Sequence, residues 1–108
     1  MSLTSDIIRG HTETIIMSQL ASSDSYGYQI NKNIKEKTAG EYEVKEATLY
    51  TAFRRLEETG LISSYWGDEA SGARRKYYAI TDSGKSMLSE NKSEWQRIKK
   101  LIDSLISE

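Results

Sequence analysis

Between residues 46 and 80 the side-chain pattern of this chain changes period, and that change constrains the fold more than any other feature. Leu49, Phe53 and Leu56 recur at helical spacing over residues 46–59, and Gly60 ends the pattern. Residues 61–67 are β-branched and aromatic enough to form a strand, residues 68–73 are rich in turn formers, and residues 74–80 read as the returning strand. Alternation on that strand sets Arg75, Tyr77 and Ala79 on one face and Lys76, Tyr78 and Ile80 on the other. Helix, stop, then a hairpin with a basic tip is the order found in a winged helix-turn-helix.

The flanking segments fit that frame. Residues 6–20 are expected to form one helix, with Ile8, Ile15, Ile16 and Leu20 as its core stripe and Ile7 and Thr14 on another side. A helix apolar on more than one side has more than one packing partner. Asp24-Ser25 offers a cap for a second helix reaching about residue 38, with Tyr28, Ile30 and Ile34 available for burial and Ala39-Gly40 closing it. Thr81 is a good cap for a last helix reaching about residue 107. In it Leu88, Trp95, Ile98, Ile102 and Leu105 follow a three-four spacing, with Asn91 in the same stripe. So short a chain holds no obvious partner for that stripe, so the expected partner is the same helix, or the first helix, of a second subunit. The fold class expected is mainly α with a small β-hairpin. Residues 1–80 would form the winged-helix part and residues 81–108 a dimerisation helix, integrated in one domain.

Composition removes most other chemistry. The chain has 108 residues, a length that fits one domain. It has no cysteine and a single histidine, which excludes disulfides, zinc ribbons and thiol catalysis. No metal-ligand spacing or glycine-rich phosphate loop occurs, and Glu57 and Glu58 are adjacent rather than convergent. The expectation is therefore no enzyme, no metal and no cofactor. Neither a long apolar run nor a signal-like N-terminus is present, so no membrane association and a cytoplasmic location are expected. The formal net charge of -1 is unfavourable for nonspecific nucleic-acid binding. Local placement matters more, because phosphate contact needs clustered cations, and Arg74, Arg75 and Lys76 are consecutive.

Candidate sites follow from these placements. A helix entering the major groove of double-stranded DNA needs small and hydrogen-bonding side chains on its exposed face, with cations nearby. Ala47, Thr48, Tyr50, Thr51 and Arg54 meet that requirement. Gly72 with Arg74, Arg75 and Lys76 makes a basic hairpin tip suited to phosphates, and Tyr26 is placed to bond a phosphate while Tyr28 packs inward. The blander readings are a solvated helix face and an edge strand charged against aggregation. The two features in this order favour DNA. A winged-helix module that docks on a protein partner and binds no DNA is the alternative.

Trp95 is either dimer core or a stacking platform for a flat ligand at the dimer centre. Ile7, Gly10, His11 and Thr14 would then be its neighbours, with Gly10 leaving room. His11 itself reads as a solvated or hydrogen-bonded helix residue.

From residue 9 to residue 105 the sequence also resembles the PadR-like transcriptional regulators. The resemblance rests on Tyr26-Gly-Tyr28, Ala47-Thr-Leu-Tyr50, Arg54-Arg-Leu-Glu57, Gly60-Leu-Ile62 and Arg74-Arg-Lys-Tyr-Tyr78 followed by Thr81 and Gly84. Residues 64–69 and the single last helix with Trp95 look most like a short subfamily that includes multidrug-sensing repressors. The resemblance implies a homodimeric winged-helix repressor on a pseudo-palindromic operator, with the last and first helices at the interface. It also implies that paired Trp95 side chains would sandwich a planar aromatic effector. Glu13 would favour a cation, whereas Lys92 and Lys99 are basic where an apolar or acidic lining is usual. That leaves open an anionic or phenolic effector, or a closed interface. Lys45 stands at the cap of the third helix where an oxygen-bearing side chain is usual, and Glu46 partly compensates through the helix dipole.

Overall fold

A computed structural model of the protein describes residues 3–67 and 74–108. Among these described residues, five helices and two strands follow in the order α1 (Leu3–Arg9), α2 (Thr12–Ser22), α3 (Gly27–Lys37), α4 (Glu46–Glu58), β1 (Ile62–Trp66), β2 (Lys76–Ile80) and α5 (Asp82–Ile106). The strands pair antiparallel, with Ile62 opposite Ile80 and Trp66 opposite Lys76. The arrangement is a winged helix-turn-helix: α3 and α4 form the helix-turn-helix and β1–β2 the wing.

A hydrophobic core unites α2, α3, α4, the wing and the start of α5. Ile16, Met17 and Leu20 of α2 meet Ile30 and Ile34 of α3 and Leu49, Ala52, Phe53 and Leu56 of α4. Val44, Ile62, Tyr78 and Leu88 close it from the turn, the wing and α5. Phe53 and Tyr78 stack at 4.0 Å between ring centroids, joining α4 to the wing. Burial raises the Tyr78 phenol above its ordinary value, and the Glu57 carboxylate adds to the effect.

The first expected helix is two helices. Gly10 and His11 interrupt it, and the Thr12 hydroxyl donates to the Arg9 carbonyl at 2.7 Å. Glycine carries a conformational cost in a helix interior, and the threonine offers the freed carbonyl another donor. The second expected helix also begins later. Asp24-Ser25 does not cap it, because Ser25 pairs with Tyr78 as an isolated bridge through bonds of 3.2 and 2.8 Å. Asp24 instead accepts from the Tyr65 hydroxyl at 2.6 Å, and Tyr26 stands at the helix cap without a side-chain bond. That bond is the main cause of an upward shift of the Tyr65 phenol.

The ends of α3 and α4 are closed by the same bond pattern with different residues. Gly60 donates to Glu57 at 3.1 Å and Leu61 to Leu56 at 2.9 Å, with Gly60 at φ 76°. Ala39 donates to Glu36 at 3.2 Å and Gly40 to Lys35 at 2.8 Å, but here Ala39 takes the left-handed position at φ 53°. The turn that follows is held by Asn31, whose amide donates to the Val44 carbonyl at 2.8 Å and accepts from the Val44 N–H at 3.0 Å.

Thr81 caps α5 as its sequence position predicts, accepting from the Gly84 N–H at 3.0 Å. Its hydroxyl also lies 2.7 Å from the Gly60 carbonyl. Gly84 is buried against the Leu61 carbonyl, and a Cβ there would collide with that backbone oxygen. The beginning of α5 is thereby fixed to the turn between α4 and the wing. Leu88, expected in the dimer stripe, is only 5% exposed and belongs to the chain's own core.

Candidate functional site

Chemistry gathers on two surfaces. The first lies where α4, the beginning of α3 and the wing meet. The amphipathic spacing that buries Leu49, Phe53 and Leu56 leaves Ala47, Tyr50, Thr51 and Arg54 exposed and Thr48 partly so. Tyr50 packs edge-on against Phe53 at 5.5 Å, and its hydroxyl reaches over Gly27. A Cβ at Gly27 would stand 2.7 Å from that hydroxyl, so glycine is what permits the approach.

The basic residues of the wing close on this surface. The Arg75 guanidinium sits 4.8 Å from the centre of the Tyr26 ring, Arg74 sits 5.5 Å from Trp66, and the Lys76 ammonium 5.7 Å from Tyr78. Each such contact at an exposed site is worth about 0.5–1 kcal/mol, enough to bias where a long side chain points. Behind them Tyr77 stacks on Tyr65 at 5.7 Å and meets Tyr26 edge-on at 5.4 Å. Tyr26, Tyr28, Tyr50, Arg74, Arg75 and Lys76 line a cleft of about 500 Å³ in which, among the described residues, no lining side chain is a carboxylate. Three cations and three phenols in one cleft are donors suited to phosphate oxygens.

Tyr28 corrects an expectation. It does not pack inward but is 74% exposed, which adds a third phenol to the cleft. In the Tyr-Gly-Tyr sequence both rings carry the same hydrophobic signal, and only the true start of α3 decides that Tyr26 is half-buried and Tyr28 exposed. Gly72 lies outside the described residues.

The second surface is a cleft of about 740 Å³ bounded by α2, α4 and α5. His11 meets Trp95 edge-on, with ring centroids 4.9 Å apart. The Asn91 amide donates to the Thr14 hydroxyl at 2.9 Å and ties α5 to α2. Gly10, His11, Thr14, Trp95 and Ile98 line this cleft together, whereas Ile7 and Lys99 do not. Sequence reasoning missed the opposite wall, where Thr48, Thr51 and Arg55 of α4 face the same space. Arg55 also pairs with Glu13 of α2 at 3.4 Å. Its position one residue beyond Arg54, on the flank of α4 rather than its crest, is the signal that was available.

Along the rest of α5, Leu101 and Ile102 are half exposed, and Leu105 and Ile106 are 81% and 75% exposed. Among the described residues there is no cluster of acids and histidine able to hold a metal, and no helix long and apolar enough to cross a membrane.

The fold and the basic-aromatic cleft define a DNA-binding regulator of the winged-helix class. Comparison with known proteins places the chain within that class. Residues 16–90 match the model of the transcriptional regulator PadR-like family. A solved transcriptional regulator from Clostridium thermocellum is 47% identical, covers 98% of this chain and all of its own, and superposes with a TM-score of 0.89. A PadR family regulator from Clostridium difficile is 40% identical over 90% of this chain and 99% of its own, with a TM-score of 0.80. The transcriptional regulator YqjI of Escherichia coli is 30% identical over 86% of this chain, which spans 43% of YqjI. The protein belongs to the PadR-like family, whose members are transcriptional regulators and not enzymes.

Proposed function

We propose that the protein is a homodimeric repressor that reads a pseudo-palindromic operator through α4 and grips the flanking backbone with the wing. The observation that carries this reading is the cleft joining Tyr26, Tyr28 and Tyr50 to Arg74, Arg75 and Lys76. It joins Tyr50 of α4, the start of α3 and the base of the wing in one surface suited to a polyanion. Ala47, Thr48 and Thr51 would approach base edges, Thr51 also meeting a thymine methyl, while Tyr50, Arg54 and the wing cations hold phosphates. Two copies would set their α4 helices in successive major grooves, about 34–36 Å apart.

The dimer would form through the apolar side of α5 beyond Leu88, with Trp95, Ile98, Ile102 and Leu105 and a contribution from α1. The exposure of Ile102, Leu105 and Ile106 supports this, since such side chains on a free helix end call for a cover. The cleft beside Trp95 and His11 would take a planar aromatic effector. Its walls belong to α2, α5 and α4 alike, so an occupant would act on the position of the reading helix if it binds the two shapes of the dimer with different free energies.

The test is a titration of the protein onto DNA from its own upstream region, at two salt concentrations, beside a scrambled duplex. The expected result is tight binding to the native duplex that weakens steeply with salt. Replacing Arg75 and Lys76 together by alanine should weaken binding and lower the salt slope by about 2. An unchanged affinity and slope would overturn the reading, and no binding even at low salt would favour a protein-docking module instead.

A further inference from the structure

Glu46 is the first residue of α4, the end of the helix that enters the groove, and it is exposed. A carboxylate is an odd group to present to a polyanion. Besides its interaction with the helix dipole, two structural duties would explain it, and neither is met among the described residues. Its carboxylate makes no hydrogen bond to the backbone at the start of α4, where Lys45 also supplies no side-chain cap. Nor does it form an ion pair: Lys35, which shares a cleft with it, is paired with Glu43 at 3.6 Å. Ala47, next in sequence, is the smallest side chain that still favours a helix, so the backbone at this end can come close to base edges.

We propose that Glu46 reads cytosine in the operator by accepting a hydrogen bond from the cytosine N4 amino group. This rests on the reading that α4 enters the major groove. The argument is one of donors. A desolvated carboxylate needs a donor, and the major-groove edge supplies only two, the amino groups of cytosine and adenine. Adenine sets its N7 acceptor beside that amino group, which repels the second carboxylate oxygen, whereas cytosine offers the amino group beside a C–H. Guanine and thymine present acceptor oxygens there and are rejected. The negative charge that weakens binding to DNA in general therefore becomes selective for one base.

The experiment is selection from a randomised duplex pool by the full-length chain and by Glu46→Gln and Glu46→Ala, with thermal unfolding of each as the control for folding. The wild-type chain should enrich cytosine at one position of each half-site by about ten- to a hundredfold, the size of one good base contact. Glu46→Gln should move that preference to adenine, whose N6 and N7 a glutamine amide satisfies together, and leave the other positions unchanged. Glu46→Ala should lose the preference at that position alone. If both variants keep the wild-type preference at every position and change only overall affinity, Glu46 acts through charge or the helix dipole and the inference is overturned. A wild-type chain that enriches no sequence overturns the operator-reading function itself, a failure visible before any variant is compared.

Discussion

The body of the molecule and the far half of α5 treat apolar side chains in opposite ways. In the body, Ile16, Ile30, Phe53 and Leu56 are almost wholly withdrawn from water, and every helix from α2 to α4 contributes to one core. Along α5 the pattern continues after Leu88, where Trp95 still meets His11, but no described residue covers the far end and Leu105 is left 81% exposed. The same three-four spacing thus has two outcomes. Where the chain folds back, spacing becomes core. Where it runs on, the same spacing leaves its apolar side chains in water.

Substitutions can break or sharpen that contrast, read as changes in unfolding free energy from largest to smallest. Phe53→Ala removes the ring that joins α4 to Tyr78 and should cost about 3–5 kcal/mol by denaturant unfolding. Gly84→Ala forces a Cβ against the Leu61 carbonyl and should cost about 1–3 kcal/mol, loosening α5 from the body. A loss under a few tenths would show that the junction is slack. Ala39→Gly relieves a left-handed alanine and should stabilise by about 1 kcal/mol. Gly60 already occupies the matching position after α4, so the two helix ends would become alike.

Smaller again is an alkaline effect. The phenols of Tyr65 and Tyr78 both lie above their ordinary value of 10.0 in the folded chain. Their contribution is fully present below pH 10 and is lost as the pH rises through the folded values. Tyr78→Phe should flatten part of that loss in thermal melts at rising pH. Smallest for the single chain is Ile102→Lys with Leu105→Lys, expected to change its own stability by under about 0.5 kcal/mol because both side chains already meet water. Light scattering should nonetheless report a monomer and a Tm that no longer depends on concentration. A destabilised monomer would mean that the far half of α5 folds back after all.

Local chemistry was legible in the sequence, and competition between distant partners was not. Thr81 and Gly60 announce a cap and a stop because both act within a few residues of themselves. The wing could be read from its alternation, and Leu49, Phe53 and Leu56 from their spacing. Asp24-Ser25 misled because a distant strand claims Ser25 and a distant phenol claims Asp24. The break at Gly10 was hidden because apolar spacing carries on across it. Of the candidate site residues, Tyr26, Tyr50, Arg74, Arg75 and Lys76 share a cleft that Tyr28 joins against expectation, Gly72 lies outside the described residues, and the α4 wall of the Trp95 cleft was not anticipated. A wall shared by three helices has no signature in any one of them.

The collar around Gly84 has a mechanical meaning. A helix of 25 residues is a rod about 37 Å long. Here the rod is clamped near one end, where Thr81 and Gly84 meet the turn that also ends α4, and is tied again to α2 through Asn91. A tilt of about 5° at such a clamp carries the free tip through about 3 Å over that length. The same proportion holds in reverse: a few ångströms of travel at the tip reach the pivot as a small rotation, applied next to the end of α4. The glycine is the bearing of a lever.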